Sequence, residues 1–587
     1  MTSLLIGPLV RATNSSSVLI WAECTQACWV TLKASPTQTP QASQAPQAPE
    51  TTENTSPFTR RTHTVLVGGH HYVAAYLDDL QPATWYTYQL DISEGDDAGS
   101  TDTVTVEDSK HSDTRPFIRC FRTMNVVETT QSERTQSQLY FAYGSCRKSE
   151  EQGVDALSAF GSWLSSQYEQ REVQWPHLLL LVGDQIYADQ PPAALKKMYP
   201  QLAHGANTFD DFALLYEYAW AKDKGTRQAL AVIPTYMIFD DHEITNNWNI
   251  SPTWRAAALQ KGLEQALVDG LVAYWVYQGW GNLDRRTQSH LSPLLSIMQE
   301  GEQSGEDVLE ALRTQIKQEM AGKTDLHWHY TIPTQPPIFV ANARVDRTAV
   351  TGNNEQEIYA PARIMGQSQM NELQAWMRTP KLGFSLLVSS VPVLLPPAIG
   401  LAEYMAGKRF WQKSIAPLKW VGVRLARLQQ KVALRTSFDH WPTYSATWQE
   451  FMHAFDECEQ DMLVLSGDVH FCYAMEAHRT RKKRVHLYQF VSTPLQNVLS
   501  AKDQQLIERQ AGITHLRYGG LRTQMLPLYA EDMKARIRHD ILFQNALALV
   551  KVETKGEGGY TVQQEYLGSN GKEVAVIGRT VVAGKPA

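Results

Sequence analysis

Four short apolar runs of the sequence end directly in side chains that can bind a metal ion. The runs and the motifs that follow them are 139–143 with GSCR, 178–182 with GDQIY, 236–239 with DDHE, and 462–465 with SGDVH. Each run is typical of a buried strand. In α/β sheets, functional sites form at the carboxyl ends of the strands, where the chain leaves the sheet and side chains from several strands converge. We therefore expect the four motifs to meet in space.

The side-chain types of these motifs favour two different metal ions. The motifs contain the thiolate, phenolate, imidazole and carboxylates of Cys146, Tyr187, His470, Asp184, Asp241 and Asp468. A thiolate and a phenolate beside an imidazole suit a transition metal such as iron(III). Carboxylates, with the amides of Asn246 and Asn247, suit a harder cation such as calcium, magnesium or manganese. If Asp184 binds both ions, they lie about 3.5–4 Å apart.

Each of these side chains has a structural alternative when it is considered alone. Cys146 could be a buried thiol that packs as a small apolar group. Asp184 and Asp468 both lie next to glycine and could be turn residues. The metal interpretation therefore depends on the complete set and on its order along the chain.

Composition and charge exclude several classes of protein. With 587 residues, 43% of them hydrophobic and 20% charged, the chain is typical of globular proteins. A net charge of −7 argues against a general nucleic-acid binder. Six scattered cysteines and the absence of a recognisable leader in residues 1–14 predict a cytoplasmic location. The longest apolar stretch, 382–402, is interrupted by serine and proline, so we expect no integral membrane span.

The pattern of apolar residues divides the chain into two regions. Residues 1–125 contain short alternating runs that predict an all-β sandwich similar to fibronectin type III domains. A segment at 36–57, rich in Gln, Pro, Thr and Ala, is predicted to be a disordered insertion. Residues 126–587 alternate apolar runs with helical stretches, which predicts an α/β domain with insertions at about 282–323 and 395–432.

The four motifs together resemble a known enzyme family. GSC, VGDQIYAD, FDDHEITNNW and SGDVH, in this order, are similar to the motifs of PhoD-like alkaline phosphatases in the metallophosphoesterase superfamily. The resemblance covers about residues 139–497, and the preceding sandwich resembles the N-terminal domain of that family. It implies a catalytic fold of two β-sheets flanked by helices. A distant similarity to purple acid phosphatases is also implied.

The resemblance implies a role for each motif residue. It assigns Cys146, Asp184, Tyr187 and His470 to Fe³⁺. Asp184 would bridge to a second divalent ion, Ca²⁺ or else Mg²⁺ or Mn²⁺. That ion would also be held by the carboxylates of the third and fourth motifs, Asp241 and Asp468, while Asp240, Asn246 or Asn247 completes its shell.

Two further roles concern the substrate. His242 stands where the wider superfamily has a histidine beside the leaving group, which implies that it donates a proton. Arg147 and Arg255 are candidates for phosphate contacts, with surface arginine as the alternative. In contrast to the wider superfamily pattern, the chain has Cys146 in place of an Asp-x-His pair and Asp468 in place of a histidine, as expected for the PhoD-like branch.

The sequence thus predicts metal-dependent hydrolysis of phosphate esters at a dinuclear centre that activates water. The substrate would be a phosphorylated small molecule or lipid, most directly a monoester. Two alternatives remain: a phospholipase D-like phosphodiesterase, and a non-catalytic binding or scaffold protein whose metals stabilise the fold. No obligate protein partner is expected.

Overall fold

The computed structural model describes most of the chain. The residues it describes are 2–37, 57–94, 104–105, 117–125, 138–150, 153–246, 248, 260, 262–283, 292–321, 328–350, 352, 354–381, 384–408, 419–435, 438–479, 485–554, 559–569 and 574–584. Arg255, Asn247 and all but the ends of the predicted insertion at 36–57 lie outside these residues.

The N-terminal region is a sandwich of two antiparallel sheets. Its strands are β1 (Leu4–Thr13), β2 (Val18–Cys24), β3 (Trp29–Pro36), β4 (Phe58–His63), β5 (Val65–Val67), β6 (His70–Leu77), β7 (Trp85–Ser93), β8 (Val104–Thr105) and β9 (Cys120–Arg122). One sheet has the order β1-β2-β6-β5, and the other has β4-β3-β7-β8 with β9 beside β7. The alternating apolar side chains of both sheets form a shared core. The hydroxyl of Tyr86 accepts a hydrogen bond from the backbone nitrogen of Gln81 (2.8 Å), as in a tyrosine corner.

The larger region contains two further sheets that pack face to face. The strands of the first are β10 (Gln138–Gly144), β11 (Leu178–Leu181), β12 (Thr235–Met237), β22 (Ala546–Thr554), β23 (Tyr560–Ser569) and β24 (Val574–Gly584). The strands of the second are β13 (Tyr330–Ile332), β14 (Ile338–Ala341), β15 (Ser385–Ser389), β16 (Met462–Ser466), β17 (Cys472–Arg479), β18 (His486–Val491), β19 (His515–Tyr518), β20 (Leu521–Met525) and β21 (Ile541–Leu542). Apolar side chains from both sheets fill the space between them.

Helices cover the outer faces of these two sheets. They are α1 (Ala156–Ser166), α2 (Arg171–Gln174), α3 (Ala193–Met198), α4 (Phe209–Ala221), α5 (Lys224–Val232), α6 (Glu264–Tyr274), α7 (Pro293–Ser304), α8 (Leu309–Met320), α9 (Glu355–Tyr359), α10 (Gln367–Arg378), α11 (Pro397–Gly407), α12 (Lys419–Arg435), α13 (Ser445–Glu457) and α14 (Ala501–Gln510). Two separate apolar clusters join the helices to the sheets. Among the described residues, no helix has both the length and the apolar content needed to cross a bilayer.

The sheet topology places the four motifs at one edge of the molecule. β10, β11 and β12 are neighbouring parallel strands of the first sheet, so their carboxyl ends point the same way. In the second sheet, β14, β15, β16 and β18 are also parallel neighbours. All four residues of β11, a run of leucines, are buried, as expected for a parallel strand covered on both faces. The carboxyl ends of these strands carry the side chains of the candidate site.

A buried arginine fastens the N-terminal sandwich to the larger region. Arg11 on β1 donates hydrogen bonds to the backbone oxygens of Tyr277 (3.1 Å) and Gln278 (2.6 Å) and to Oδ1 of Asn282 (2.9 Å). These partners lie in the π-helical turn Trp275–Gly279 and the 3-10 turn Trp280–Asn282 that follow α6. Burial lowers the pKa of Arg11 to about 10, so the side chain remains charged at neutral pH.

Replacing Arg11 with methionine is expected to lower the free energy of unfolding by about 2–4 kcal/mol, because three buried oxygen acceptors each lose a charged donor. A urea titration followed by tryptophan fluorescence measures this change. Arg60→Met is the control, since Arg60 lies on β4 of the same sandwich and is exposed. Surface substitutions usually change the free energy of unfolding by less than about 0.5 kcal/mol. Equal losses in the two variants would contradict the interface role of Arg11.

Candidate metal centre

Four of the predicted ligands have a backbone conformation that side chains rarely adopt. Cys146, Asp184, Asp468 and His470 have φ angles of 57°, 50°, 69° and 61°. Each non-glycine residue in this left-handed region carries a conformational cost of about 1–3 kcal/mol, and such residues cluster at functional sites. The backbone is therefore strained in the turns that follow these strands, and the strained conformation directs the four side chains toward one point.

The first group of donors is compact and buried. Donor atoms of Cys146, Asp184 and His470 lie within 4.8 Å of one another. The Tyr187 hydroxyl donates to Oδ2 of Asp184 at 3.2 Å and lies 3.4 Å from Nε2 of His470. Asn497 supports this group, because its amide nitrogen donates to the Tyr187 hydroxyl at 2.8 Å. The set of thiol, phenol, carboxylate and imidazole fits one transition-metal ion.

Burial sets the protonation of this group in the metal-free protein. It raises the pKa of Cys146, Asp184 and Tyr187 well above the usual ranges, and neighbouring anionic groups raise these values further. Burial also lowers the pKa of His470 to about 4, which leaves the imidazole neutral. A bound cation would lower the pKa of the thiol, carboxyl and phenol groups again, because a metal ion binds their deprotonated forms.

A second group of donors shares Asp184 with the first. Donor atoms of Asp184, Asp241 and His242 lie within 4.8 Å of one another, and so do those of Asp240, Asp241 and Asp468. Oδ2 of Asp240 is buried and has no hydrogen-bond partner among the described residues. The carboxylate oxygens of this group fit a hard divalent cation. Asp184 thus belongs to one triad in each group of donors.

The carboxylate of Glu243 fixes the backbone of two site loops. It accepts hydrogen bonds from the backbone nitrogens of Asp184 (3.1 Å), Gln185 (2.7 Å) and Asp240 (2.9 Å). The side chain of Gln278 donates to the same carboxylate at 2.9 Å. Because Gln278 lies in the π-helical turn bound by Arg11, the sandwich contacts the segment that holds the loops.

Arg344 supplies a resident positive charge that the sequence interpretation missed. It is fully buried just beyond the carboxyl end of β14, and it donates to Asp240 and Asp439. Its Nη2 lies 2.7 Å from Oδ1 of Asp468 and 3.7 Å from Oδ1 of Asp241. The signal was present, because the apolar run of β14 also ends in polar residues, but a single arginine there resembled a surface residue.

Asp468 is held by cationic side chains on both oxygens. Its Oδ1 accepts from Arg344, and its Oδ2 lies 2.9 Å from Nε2 of His440. Nδ1 of His440 is 2.6 Å from the buried Glu403. Burial alone would raise the pKa of Asp468, but Arg344 and His440 outweigh burial and hold the pKa well below its usual range. Asp468 is therefore an oriented anion in the metal-free protein.

His242 stands beside the shared carboxylate in a fixed orientation. Its Nδ1 lies 2.8 Å from Oδ1 of Asp189, and its ring stacks on Tyr187 with centroids 4.4 Å apart. Its backbone nitrogen donates to Oδ1 of Asp184 at 3.2 Å. Burial lowers the pKa of His242, but the bond to Asp189 and the nearby Asp184 and Asp241 outweigh burial and raise the pKa to about 10. Since Asp189 occupies Nδ1, Nε2 is the ring nitrogen that can contact a substrate.

Other predicted site residues have different surroundings. The guanidinium of Arg147 donates to Asp155 (2.8 Å), the backbone oxygen of Ala219 (2.6 Å) and Thr226 (3.0 Å). These bonds use its three nitrogens and hold the loop, and the phosphate contact of Arg147 stays a prediction. Asn246 is exposed, and its backbone nitrogen donates to Asp189 at 3.0 Å. Arg255 lies outside the described residues.

The chain matches two family models and several solved structures. The family model for PhoD-like phosphatase matches residues 141–518, and a domain of unknown function, DUF7800, matches residues 1–108. The solved structure of PhoD is 13% identical with a TM-score of 0.58, and the match covers 99% of this chain and 92% of that chain.

A second solved structure with a match is purple acid phosphatase PPD1 from yellow lupin (Lupinus luteus) seeds. It is 8% identical with a TM-score of 0.47, and the match covers 98% of this chain and 74% of that chain. No curated protein has a significant match to the sequence. The similarity to PhoD confirms the predicted mixed α/β fold class with two packed sheets.

Proposed function

We propose that this chain, which belongs to the PhoD-like phosphatase family and is a phosphatase, hydrolyses phosphomonoesters at a centre of two metal ions. The observation that carries the proposal is the position of Asp184, which belongs both to the group with Cys146 and His470 and to the group with Asp241 and His242. A carboxylate shared in this way is the usual bridge between two metal ions in hydrolytic sites.

The donor chemistry suggests a different ion for each group. The ligands that we propose for Fe³⁺ are Cys146, Asp184, Tyr187 and His470. For a divalent ion, Ca²⁺ or else Mg²⁺ or Mn²⁺, we propose Asp184, Asp241 and Asp468, with Asp240 beside them. Arg344 shares these carboxylates and offsets part of their negative charge. When bound, the two ions would activate a water molecule and stabilise negative charge on the phosphoryl oxygens.

The chain's own residues would orient the substrate and deliver a proton. Asp189 pairs with Nδ1–H of His242 and, with Asp184 and Asp241, stabilises the imidazolium, whose Nε2–H is available to the oxygen that leaves phosphorus. The loops that carry Asp184 and Asp240 stay in place because Glu243 accepts their backbone N–H groups. The buried environment of the centre strengthens each of these charge interactions relative to bulk water.

The proposal is tested by metal analysis of the untreated protein together with turnover on two substrates. We expect two metal ions per chain and faster hydrolysis of p-nitrophenyl phosphate than of bis(p-nitrophenyl) phosphate. Preference for the diester would favour the phospholipase D-like alternative. Stoichiometric metals without hydrolysis of any tested mono- or diester would favour the scaffold alternative and contradict the proposed function.

Removing the metal ions is expected to lower the thermal midpoint by several degrees. Without cations, close carboxylates repel one another, while a ligand present at a thousand times its dissociation constant stabilises a fold by about 4 kcal/mol. Differential scanning fluorimetry before and after chelation, followed by the return of Fe³⁺ and Ca²⁺, measures the effect. Asp184→Asn is the control and should show a smaller shift. Identical thermal midpoints for the native and the chelated protein would contradict the expectation that bound metal ions stabilise the fold.

A further inference from the structure

Helix α12 carries a concentration of positive charge that differs from the rest of the chain. Its sequence KWVGVRLARLQQKVALR contains five Lys or Arg residues and no acidic residue, whereas the whole chain has a net charge of −7. A basic amphipathic helix of this composition is typical of a membrane-surface segment. Whether the basic side of α12 can reach a membrane depends on which of its residues pack against the protein.

One side of α12 faces the protein and the opposite side faces solvent. Ala426 and Gln430, four residues apart, are buried against neighbouring elements. Trp420 and Leu428 lie on the opposite side and are 61% and 59% exposed. Arg424 and Lys431 are exposed on the same side, and the guanidinium of Arg424 lies 5.1 Å from the centre of the Trp420 ring. We name Trp420, Arg424, Leu428 and Lys431 the outer face of α12.

Specific contacts hold the buried side of α12 in the fold. Gln429 donates to the backbone oxygens of Ala406 (2.9 Å) and Lys408 (3.0 Å) at the end of α11. Gln430 donates to the backbone oxygen of Ile358 (3.1 Å) and accepts from the backbone nitrogen of Gly352 (3.2 Å). The fold therefore fixes the orientation of the helix and presents the outer face to solvent.

A second surface helix shows that exposure of a leucine alone does not distinguish the outer face. Leu506 on α14 is 56% exposed, yet α14 also carries Lys502, Asp503, Glu508 and Arg509, whose charges cancel. On the outer face of α12 the two apolar side chains lie between cations, and the helix has no acidic residue to cancel their charge. This arrangement matches the headgroup layer of a bilayer, where an indole ring and aliphatic tips insert while Lys and Arg contact phosphates.

We propose that the outer face of α12 binds the surface of an anionic lipid bilayer. Each Lys or Arg near such a surface contributes about 1 kcal/mol, and the attraction is screened by salt. Partial insertion of Trp420 and Leu428 adds apolar burial that a soluble polyanion cannot provide. α11, which is bonded to α12, carries Glu403. Glu403 bonds to His440, and His440 bonds to Asp468, so the proposed contact lies one helix away from the candidate centre. The outer face is separate from the donor groups of the candidate centre, so its binding to lipid can be measured without an activity assay.

Sedimentation of the full chain with lipid vesicles tests the proposal. We expect binding to phosphatidylcholine vesicles that contain phosphatidylserine, weaker binding as salt increases, and little binding to phosphatidylcholine alone. Arg424→Glu/Lys431→Glu should weaken binding to the anionic vesicles by at least about tenfold. Trp420→Ser should weaken it at every salt concentration, because it removes apolar insertion.

The control is Lys502→Glu/Arg509→Glu on α14, which changes the net charge equally and should bind as the original chain does. Circular dichroism and the thermal midpoint establish that each variant is folded. Three results would overturn the proposal: no binding to anionic vesicles, equal loss in the α12 and α14 variants, or equal binding to neutral vesicles. Binding to a single-stranded oligonucleotide without binding to vesicles would assign the face to a soluble polyanion and would also overturn it.

Discussion

Replacing Asp184 with asparagine is expected to abolish phosphoester hydrolysis and to remove both metal ions while the chain stays folded. Asp184 belongs to both donor groups, so the change weakens both proposed sites at once. The expected loss in kcat exceeds the roughly 10²–10³-fold cost of removing a single transition-state contact. Asparagine has the same size and tolerates the left-handed conformation at φ 50°, so the turn should persist. Steady-state kinetics, metal analysis and the thermal midpoint measure the three effects.

Asp155→Asn is the matched control for this prediction. Asp155 is also a partly buried carboxylate near the loop of Cys146, but it pairs with Arg147 and caps α1. Asparagine is an equally good helix cap, so the variant should lose only about 1–3 kcal/mol of stability through the weakened bond to Arg147 and should retain both metal ions. If Asp184→Asn keeps two metal ions and full activity, the dinuclear assignment is wrong.

The parts of the fold that the sequence predicts well are those encoded locally. Buried strands are short apolar runs, and the four motifs directly follow such runs, so their positions at strand ends could be read from the chain. The closing antiparallel strands β22, β23 and β24 follow from the same alternation of apolar and polar residues. The predicted fold class is confirmed by the similarity to PhoD, whereas the domain boundaries stay predictions.

The supporting side chains of the centre could not be predicted in this way, because they are distant in sequence from the residues they hold. Arg344 pairs with Asp240 across 104 positions and with Asp468 across 124. Asn497 contacts Tyr187 across 310 positions. Nothing local distinguishes such side chains from surface residues. Arg147 shows the converse, since its place beside Cys146 suggested phosphate although its donors are directed at Asp155, Ala219 and Thr226.

The N-terminal sandwich illustrates a further limit of local patterns. Its strands could be predicted from alternation, but its attachment to the larger region depends on Arg11, which looks like an ordinary strand residue. The structure shows that Arg11 binds the turn that contains Gln278, and Gln278 binds Glu243 between the site loops. The sandwich is therefore part of the framework that positions the candidate centre.

Replacing His242 with alanine is expected to retain both metal ions and to lower kcat by about 10²–10⁴-fold, the usual contribution of a proton donor. The loss should depend on the leaving group. p-Nitrophenolate leaves readily without a proton, whereas an alkoxide does not, so an alkyl phosphate should lose more rate than p-nitrophenyl phosphate. Asp189→Asn should give a smaller loss with the same dependence, because the ring remains and loses only the orientation and the raised pKa that Asp189 provides through Nδ1.

His242→Phe separates the proton from the packing of the ring. Phenylalanine can keep the stacking on Tyr187, whose ring centre lies 4.4 Å away, but has no proton to donate. If His242 acts as the donor, the alanine and phenylalanine variants should lose similar rates and show the same steep dependence on the leaving group. If the role of His242 is to hold Tyr187, the phenylalanine variant should recover the rate that the alanine variant loses. The rate loss should then not depend on the leaving group. That second pattern would assign His242 to positioning the proposed iron ligand, and the proton would have to come from another group.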